Sequence, residues 1–494
     1  MIRTRAHILV LCLFSIAIPM EAQLTGNNFA EYQLGNIPGQ EPSNQSSLYN
    51  QLDLKYRYKS FSIFTKAELY QPSFGEDKDY ARIAQLRASY STKSLSLDVG
   101  HNYASLGRGL LMRNYSLPSS VYEDRGYRIR YGYNKDMLGI AAKYKSKYVD
   151  VKLLRGKVLT LGLPPTIDES ERRPDLVEGG EIRTKFKNQS LGILGMRHTN
   201  GGQSSNYGGL YYNGNVAGLT LYGELAKRFD DGVDVSFSED DAYGAYLGFN
   251  YSYGMVGGSF ELKKYQDFAI GNGVNDPPTL IKEHNVRLLN RSTHVPHLSD
   301  ESGYQLDLFF SFDNASILTL NHAMAKNQLA GAEYTFTEYY VDYYFDINDV
   351  LLLKVFADYA QDPLMNEPHR YTAGFQLEVI HGTWSSQFEF DYQHIERDII
   401  STYSFNNMSA LYTLSNAGKF SASALLDVSN DPFLLDVDEE QIFYPAATVS
   451  YQVNSHNKIT AFAGRRRGGP SCTSGVCYDV LDFEGLELRL TTRF

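Results

Sequence analysis

The 494-residue sequence predicts an all-β protein, a transmembrane antiparallel β-barrel of about 24 strands within a range of about 22 to 26. Three observations carry this: an apolar leader that marks export, a two-residue hydrophobic period repeated along the chain, and connections that alternate between short and long.

At the start, Arg3 and Arg5 form a positive region, His7 to Ile18 is an apolar stretch too short for a stable span, and Glu21-Ala22-Gln23 offers a small residue for cleavage. We expect residues 1–22 to be a signal peptide and 23–494 the barrel. Cys12 is not read as a lipid-carrying cysteine, because bulky Leu11 precedes it where such signals want a small residue. Beyond the leader no run of about eighteen apolar residues occurs, so helical spans are excluded. Tyr (38) and Phe (27) are abundant against a mean hydropathy of -0.34, and amphipathic helices with clear caps are scarce, so the composition favours strands. Cys472 and Cys477, in the loop sequence "GGPSCTSGVCYDV", read as a local disulfide worth roughly 2 kcal/mol.

The period is plain in "GLELRLTTRF", which ends the chain. Leu486, Leu488, Leu490, Thr492 and Phe494 fall on one side, and Glu487, Arg489, Thr491 and Arg493 on the other. "LTLYGELAK" sets Leu219, Leu221 and Leu225 against Thr220, Tyr222 and Glu224, and "KYVDVKLL" sets Val149, Val151 and Leu153 against Asp150 and Lys152. Rows of charge cannot form a soluble core, so one face meets water and the other a large apolar partner.

From about residue 178 onward the connections alternate. Short ones fall at 188–190, Gly254, 313–315, 348–350, 381–383, 415–418 and 454–457; longer ones at 227–242, 267–302, 327–333, 361–368, 428–441 and 467–482. Tight periplasmic turns and long outer loops have this asymmetry, and a soluble sandwich has no reason for it. Both termini belong on the periplasmic side, so the strand number is even; this holds if residues 135–157 contribute a single strand. The last strand then pairs with the first, with Phe494 in the interfacial girdle and Leu488, Leu490 and Phe494 forming the C-terminal signal for the barrel assembly machinery.

Two stretches, "VGHNYASLGRGLLMRNYSLPSSVYEDRGYRIRYGY" (99–133) and "NDPPTLIKEHNVRLLNRSTHVPHLSDESGYQLDL" (275–308), resemble a family of exported Bacteroidetes outer-membrane barrel proteins described only as a domain of unknown function. The resemblance implies location and architecture and brings no activity with it. The first stretch is also similar to export porins of the alginate type, in which a Gly/Arg-rich segment follows an early strand and charged residues line the pore.

Within that stretch, Arg108 and Arg113 lie in a Gly-bearing loop (103–125), and "GYRIRYGY" places Arg128 and Arg130 opposite Tyr127, Ile129 and Tyr131. Read as a wall strand, its Tyr/Ile face suits lipid and its arginines the lumen. The four guanidiniums either form a constriction favouring anions or bridge to lumenal carboxylates. The 267–302 segment carries His284, His294 and His297 beside Glu283, Asp300 and Glu301. Its "HVPH" is interrupted by Pro296 and is not a recognised zinc pattern, so a packed loop that plugs or caps the barrel is expected, with no metal. Asp230, Asp231 and Asp234 are weak calcium candidates in an acidic outer loop, without the spaced Asp and Gly of a calcium loop. Arg465, Arg466 and Arg467 sit at the outer end of a late strand, placed to meet lipopolysaccharide phosphates.

No nucleophile elbow, phosphate loop or metalloprotease helix motif occurs, and no enzyme, cofactor or nucleic-acid partner is expected. The expected partners are outer-membrane lipid, lipopolysaccharide and, during biogenesis, the assembly machinery. The expected function is a porin-like or export channel in the bacterial outer membrane for small hydrophilic solutes, anionic ones included. The alternative is a non-transporting structural or accessory subunit of a secretion or assembly complex.

Overall fold

A computed structural model describes residues 22–72, 79–123, 130–160, 171–229, 241–294, 300–329, 331–435, 439–473 and 476–494. Apart from Ala22, which opens the first strand, the expected leader lies outside the described residues.

Twenty-four strands join into one closed antiparallel sheet. Each pairs with the next in sequence, save that Leu95–Asn102 pairs with Met137–Lys145 and Asn457–Arg466 with Phe483–Arg493, passing over short inserted hairpins. Closure comes from the last strand on the first: Asn27 lies opposite Arg493 and Asn36 opposite Glu484. A closed sheet has no free edge, which is what allows strands to cross hydrocarbon.

The two-residue period sorts the side chains. Glu31, Gln33, Gln51, Lys66, Glu68 and Gln85 turn inward and are buried, whereas Ile63, Leu97, Ile140, Leu153, Ile193 and Leu488 stand exposed on the outer surface. Ile193 is 66% exposed and Leu488 51%, values that suit contact with lipid. Exposed aromatics ring the barrel at the turn end of the strands, among them Phe61, Tyr148, Phe186, Tyr253, Trp384 and Phe494. Near the loop end, outward Tyr304, His322, Tyr339, Tyr359, Tyr371 and His394 form a chain of ring contacts across neighbouring strands, stacked at His322–Tyr339 and Tyr339–Tyr359 and edge-on or tilted at the others. Two aromatic girdles bounding an apolar band mark the membrane interfaces.

At the terminal end the strands are joined by tight turns, several holding positive φ at Lys59, Lys187, Ala217 and Gly218. The opposite end carries the long connections. There the structure departs from the sequence reading in three places. At 327–333 the strands Ile317–Leu329 and Ala332–Asn348 stay paired up to Leu329 opposite Ala332, so no long connection lies there. Residues 135–157 supply two wall strands, Met137–Lys145 and Val149–Val158. The described part of "GYRIRYGY" is not in the wall: among the described residues Arg130–Lys135 pairs only with Tyr115–Glu123, a hairpin inside the barrel. The strand gained and the strand lost leave the count at 24. Tyr131 accordingly packs against inward Phe29, Tyr49, Tyr70 and Tyr80 rather than lipid. Its alternation separates a face toward the wall's aromatics from one toward the wall's charges.

Candidate functional site

Two loops enter the lumen and pack on the inner wall. The first, described over residues 103–123 and 130–136, leads with "LGRGLLM". Leu106, Leu110, Leu111 and Met112 are fully buried against wall residues such as Leu154, Val177, Tyr222 and Tyr246. Its tip is seated by a carboxylate socket. The Arg108 backbone N–H donates to Glu224 Oε2 at 2.7 Å, and the Arg108 guanidinium lies over the Tyr222 ring at 4.0 Å. Gly107 holds a φ of +56°, and a Cβ there would stand 2.2 Å from Glu224 Oε1, so the approach requires glycine.

The second loop, described over residues 267–294, runs from the first to the far wall. Phe268, Ile270, Val274 and Leu280 complete the same apolar cluster. The Asn272 backbone N–H donates to Asp175 Oδ2 at 3.2 Å, while Asp175 Oδ1 lies 2.6 Å from His198 Nε2. The loops are tied together: Asp276 N–H donates to Gly109 O at 3.2 Å, and Arg113 Nη1 lies 3.3 Å from Asp276 Oδ2. Burial pushes the Asp276 carboxyl up, against the pull of Lys135 and Arg113, and pushes the Lys135 ammonium down.

Farther along, a single helical turn, Arg287–Asn290, sits on the opposite wall. Arg287 and Arg291 both reach Asp427 Oδ2, at 3.1 and 3.0 Å. Ser292 O accepts from Arg370 Nη1 at 2.7 Å, and His294 Nδ1 lies 3.0 Å from Asp362 Oδ2 with its ring stacked on Phe336. His284 Nε2 lies 3.2 Å from Glu338 Oε1.

Around this far segment two adjoining cavities open toward the loop end, of about 230 and 310 Å³. Arg291 and Arg467 line both; Arg370 and Arg397 join them in one, Arg287 and Arg466 in the other. Their acidic lining is Glu367 and Asp431.

The profile of a family of unknown function, DUF6029, matches residues 10–199 and 213–494. The chain belongs to that family. No curated protein sequence matches it. Among solved structures it is similar to the P pilus usher PapC translocation pore, at 11% identity and a TM-score of 0.48, with 96% of this chain and 99% of that one covered. It is also similar to the outer membrane protein OpdK from Pseudomonas aeruginosa, at 13% identity, a TM-score of 0.37, and 69% and 93% coverage. The copper transporter OprC stands at 10% identity, a TM-score of 0.45, and 96% and 80% coverage. The location rests on architecture: a closed barrel with an apolar outer band and two aromatic girdles is built for the bacterial outer membrane.

Of the sequence candidates, Arg108 and Arg113 are in the first loop, held as described. Arg130 pairs with Glu31 of the first strand, which also accepts from Arg489 Nε at 2.5 Å; Arg128 lies outside the described residues. Arg466 lies 3.4 Å from inward Glu487, and Arg467 donates to Asn407 at 2.9 Å, so both turn to the lumen; Arg465 lies over Tyr444. Leu488, Leu490 and Phe494 are exposed on the outer surface. Cys472 stands directly opposite Cys477 in a hairpin, with the side chains of both outside the described residues. Asp230, Asp231, Asp234 and His297 also fall outside them. Sequence reasoning missed Arg291, Arg370, Arg397 and Asp427, which come from elements far apart in the chain. The usable signal for the last three was an inward-facing charge in each of Glu367–His381, Trp384–Asp398 and Phe420–Ser429.

Proposed function

We propose that this protein is a gated outer-membrane channel for a small anionic solute, its lumen narrowed by the two inserted loops. The observation that carries the reading is the arginine lining of the two cavities, six guanidiniums against two carboxylates, beside the segment that spans the lumen. Planar, always-charged forks suit carboxylate or phosphate groups. Passage then requires the 267–294 segment to yield, since it runs from Asp175 on one wall strand, which holds Asn272, to Asp427 on another, which holds Arg287.

The test is single-channel recording in planar bilayers. Stepwise, anion-preferring currents are expected, with preference shifted toward cations in Arg467→Glu and Arg397→Glu. A silent protein would remove the channel reading. The second reading, a non-transporting accessory subunit, is favoured by the apolar packing of the first loop on the wall. Silence together with a stoichiometric co-purifying envelope protein would select it. We further propose that Cys472 and Cys477 form a disulfide, since the backbone sets them face to face. Thiol titration that finds two free thiols in the exported protein would exclude it.

A further inference from the structure

We infer that the inserted loop is pinned to the barrel wall by a divalent transition-metal ion, zinc being the fitting class, held by His284, Glu338 and Asp358. His284 comes from the loop, Glu338 from the strand Ala332–Asn348 and Asp358 from the strand Leu351–Asp362. One donor atom from each lies within 4.8 Å of the other two, and all three residues are buried. Zinc takes imidazole nitrogen and carboxylate oxygen at about 2.0–2.2 Å, leaving donors about 3.4 Å apart. His284 Nε2 and Glu338 Oε1 already stand at 3.2 Å. Asp358 offers the third donor, within 4.8 Å of both.

Two further observations point to a ligand. Both carboxylate oxygens of Asp358 are buried without a hydrogen-bond partner, and His284 Nδ1 is likewise unpartnered. A buried carboxylate in that condition is unfavourable unless a proton or a cation meets it. Arg370 is the nearest cation, but its Nε stands 4.0 Å from Asp358 Oδ1 while Nη1 is committed to Ser292 O at 2.7 Å and lies 3.6 Å from Glu367. Arg370 is shared among Glu338, Asp358 and Glu367, Arg397 between Glu367 and Asp431, and Asp362 meets only the His294 imidazole among the described residues, so a divalent ion at Asp358 adds positive charge where it is thinnest. Three protein donors from loop and wall leave a fourth position for water or a solute group.

The inference stands apart from the channel reading, and its test needs no current. Untagged, detergent-purified full-length protein is stripped with chelator, dialysed and titrated calorimetrically with zinc, and separately with cobalt(II), whose visible spectrum reports coordination. One zinc per chain is expected, with affinity lowered about 100-fold or more in Asp358→Asn and His284→Gln. His294→Gln, whose imidazole faces Asp362, is expected to bind as wild type. Folding of each variant is checked by its heat-modifiable gel band. Failure of the wild-type protein to take up zinc or to develop a cobalt spectrum overturns the inference, leaving protonated imidazoles to balance the acids. Uptake that is unchanged in both ligand variants overturns it as well.

Discussion

The ring of Phe494 lies on Gly26. The backbones of the two residues exchange hydrogen bonds, Gly26 N–H to Phe494 O at 2.7 Å and Phe494 N–H to Gly26 O at 3.0 Å, and a Cβ on Gly26 would stand 2.4 Å from Phe494 Cζ. The chain's last residue thus completes the seam at which the barrel closes. Gly26→Val forces the ring off and crowds Asp53 O, 3.0 Å from the new Cβ. A loss of about 1–3 kcal/mol in urea unfolding from vesicles is expected. Because the clash needs the ring, Gly26→Val/Phe494→Ala should cost less than the two single changes added together. Strict additivity would show that the ring is not what the valine meets.

The closing strand also shows what was legible in the sequence. Leu486, Leu488 and Leu490 face out and Glu487 and Arg489 face in, as period two requires. Loop asymmetry placed the turn end and loop end correctly at most connections. The failures share a cause. Alternation reports two different surroundings without saying that one of them is lipid, so Arg130–Lys135 reads as wall although both its faces lie inside. The metal cluster was illegible because its three residues belong to three elements that only barrel closure and loop insertion bring together. "HVPH" drew the eye to His294, which pairs with Asp362, while the imidazole that joins the cluster is His284.

Gly107→Ala tests the seating of the first loop. The substitution places a methyl 2.2 Å from Glu224 Oε1 at a φ of +56°, so both the conformation and the space oppose it. About 1–3 kcal/mol of docking should be lost. The expected sign is faster hydrogen exchange at residues 103–113 with the barrel's strands still protected. Uniform loss of protection across the sheet would mean that the loop is not a separately opening unit.

Asp276 gives loop docking a pH dependence with a defined sign. Burial raises its carboxyl above the ordinary 3.8, so the docked loop holds a proton more readily than the released one. Docking therefore strengthens as pH falls through the raised value, levels off below the ordinary value and is weaker at neutral pH. Lys135, lowered by burial, acts on the alkaline side and leaves this window alone. Limited proteolysis within 267–294 should slow on acidification in the wild type and show a smaller change in Asp276→Asn. Equal pH responses in the two proteins would assign the effect to other carboxylates.

At the root of the second loop, Lys263 and Glu301 form an ion pair with both side chains fully buried, bridging the two strands that the loop connects. Removing one partner leaves a charge in a dry setting, so Lys263→Met should cost about 3–5 kcal/mol in urea unfolding. Removing both leaves two apolar chains of similar volume, so Lys263→Met/Glu301→Leu should recover most of that loss, to within about 1–2 kcal/mol of wild type. The two variants also separate anchoring from folding. If the pair anchors the loop, the double variant keeps a folded barrel but shows faster exchange through 267–294. Exchange there that matches wild type would make the pair a feature of strand packing alone.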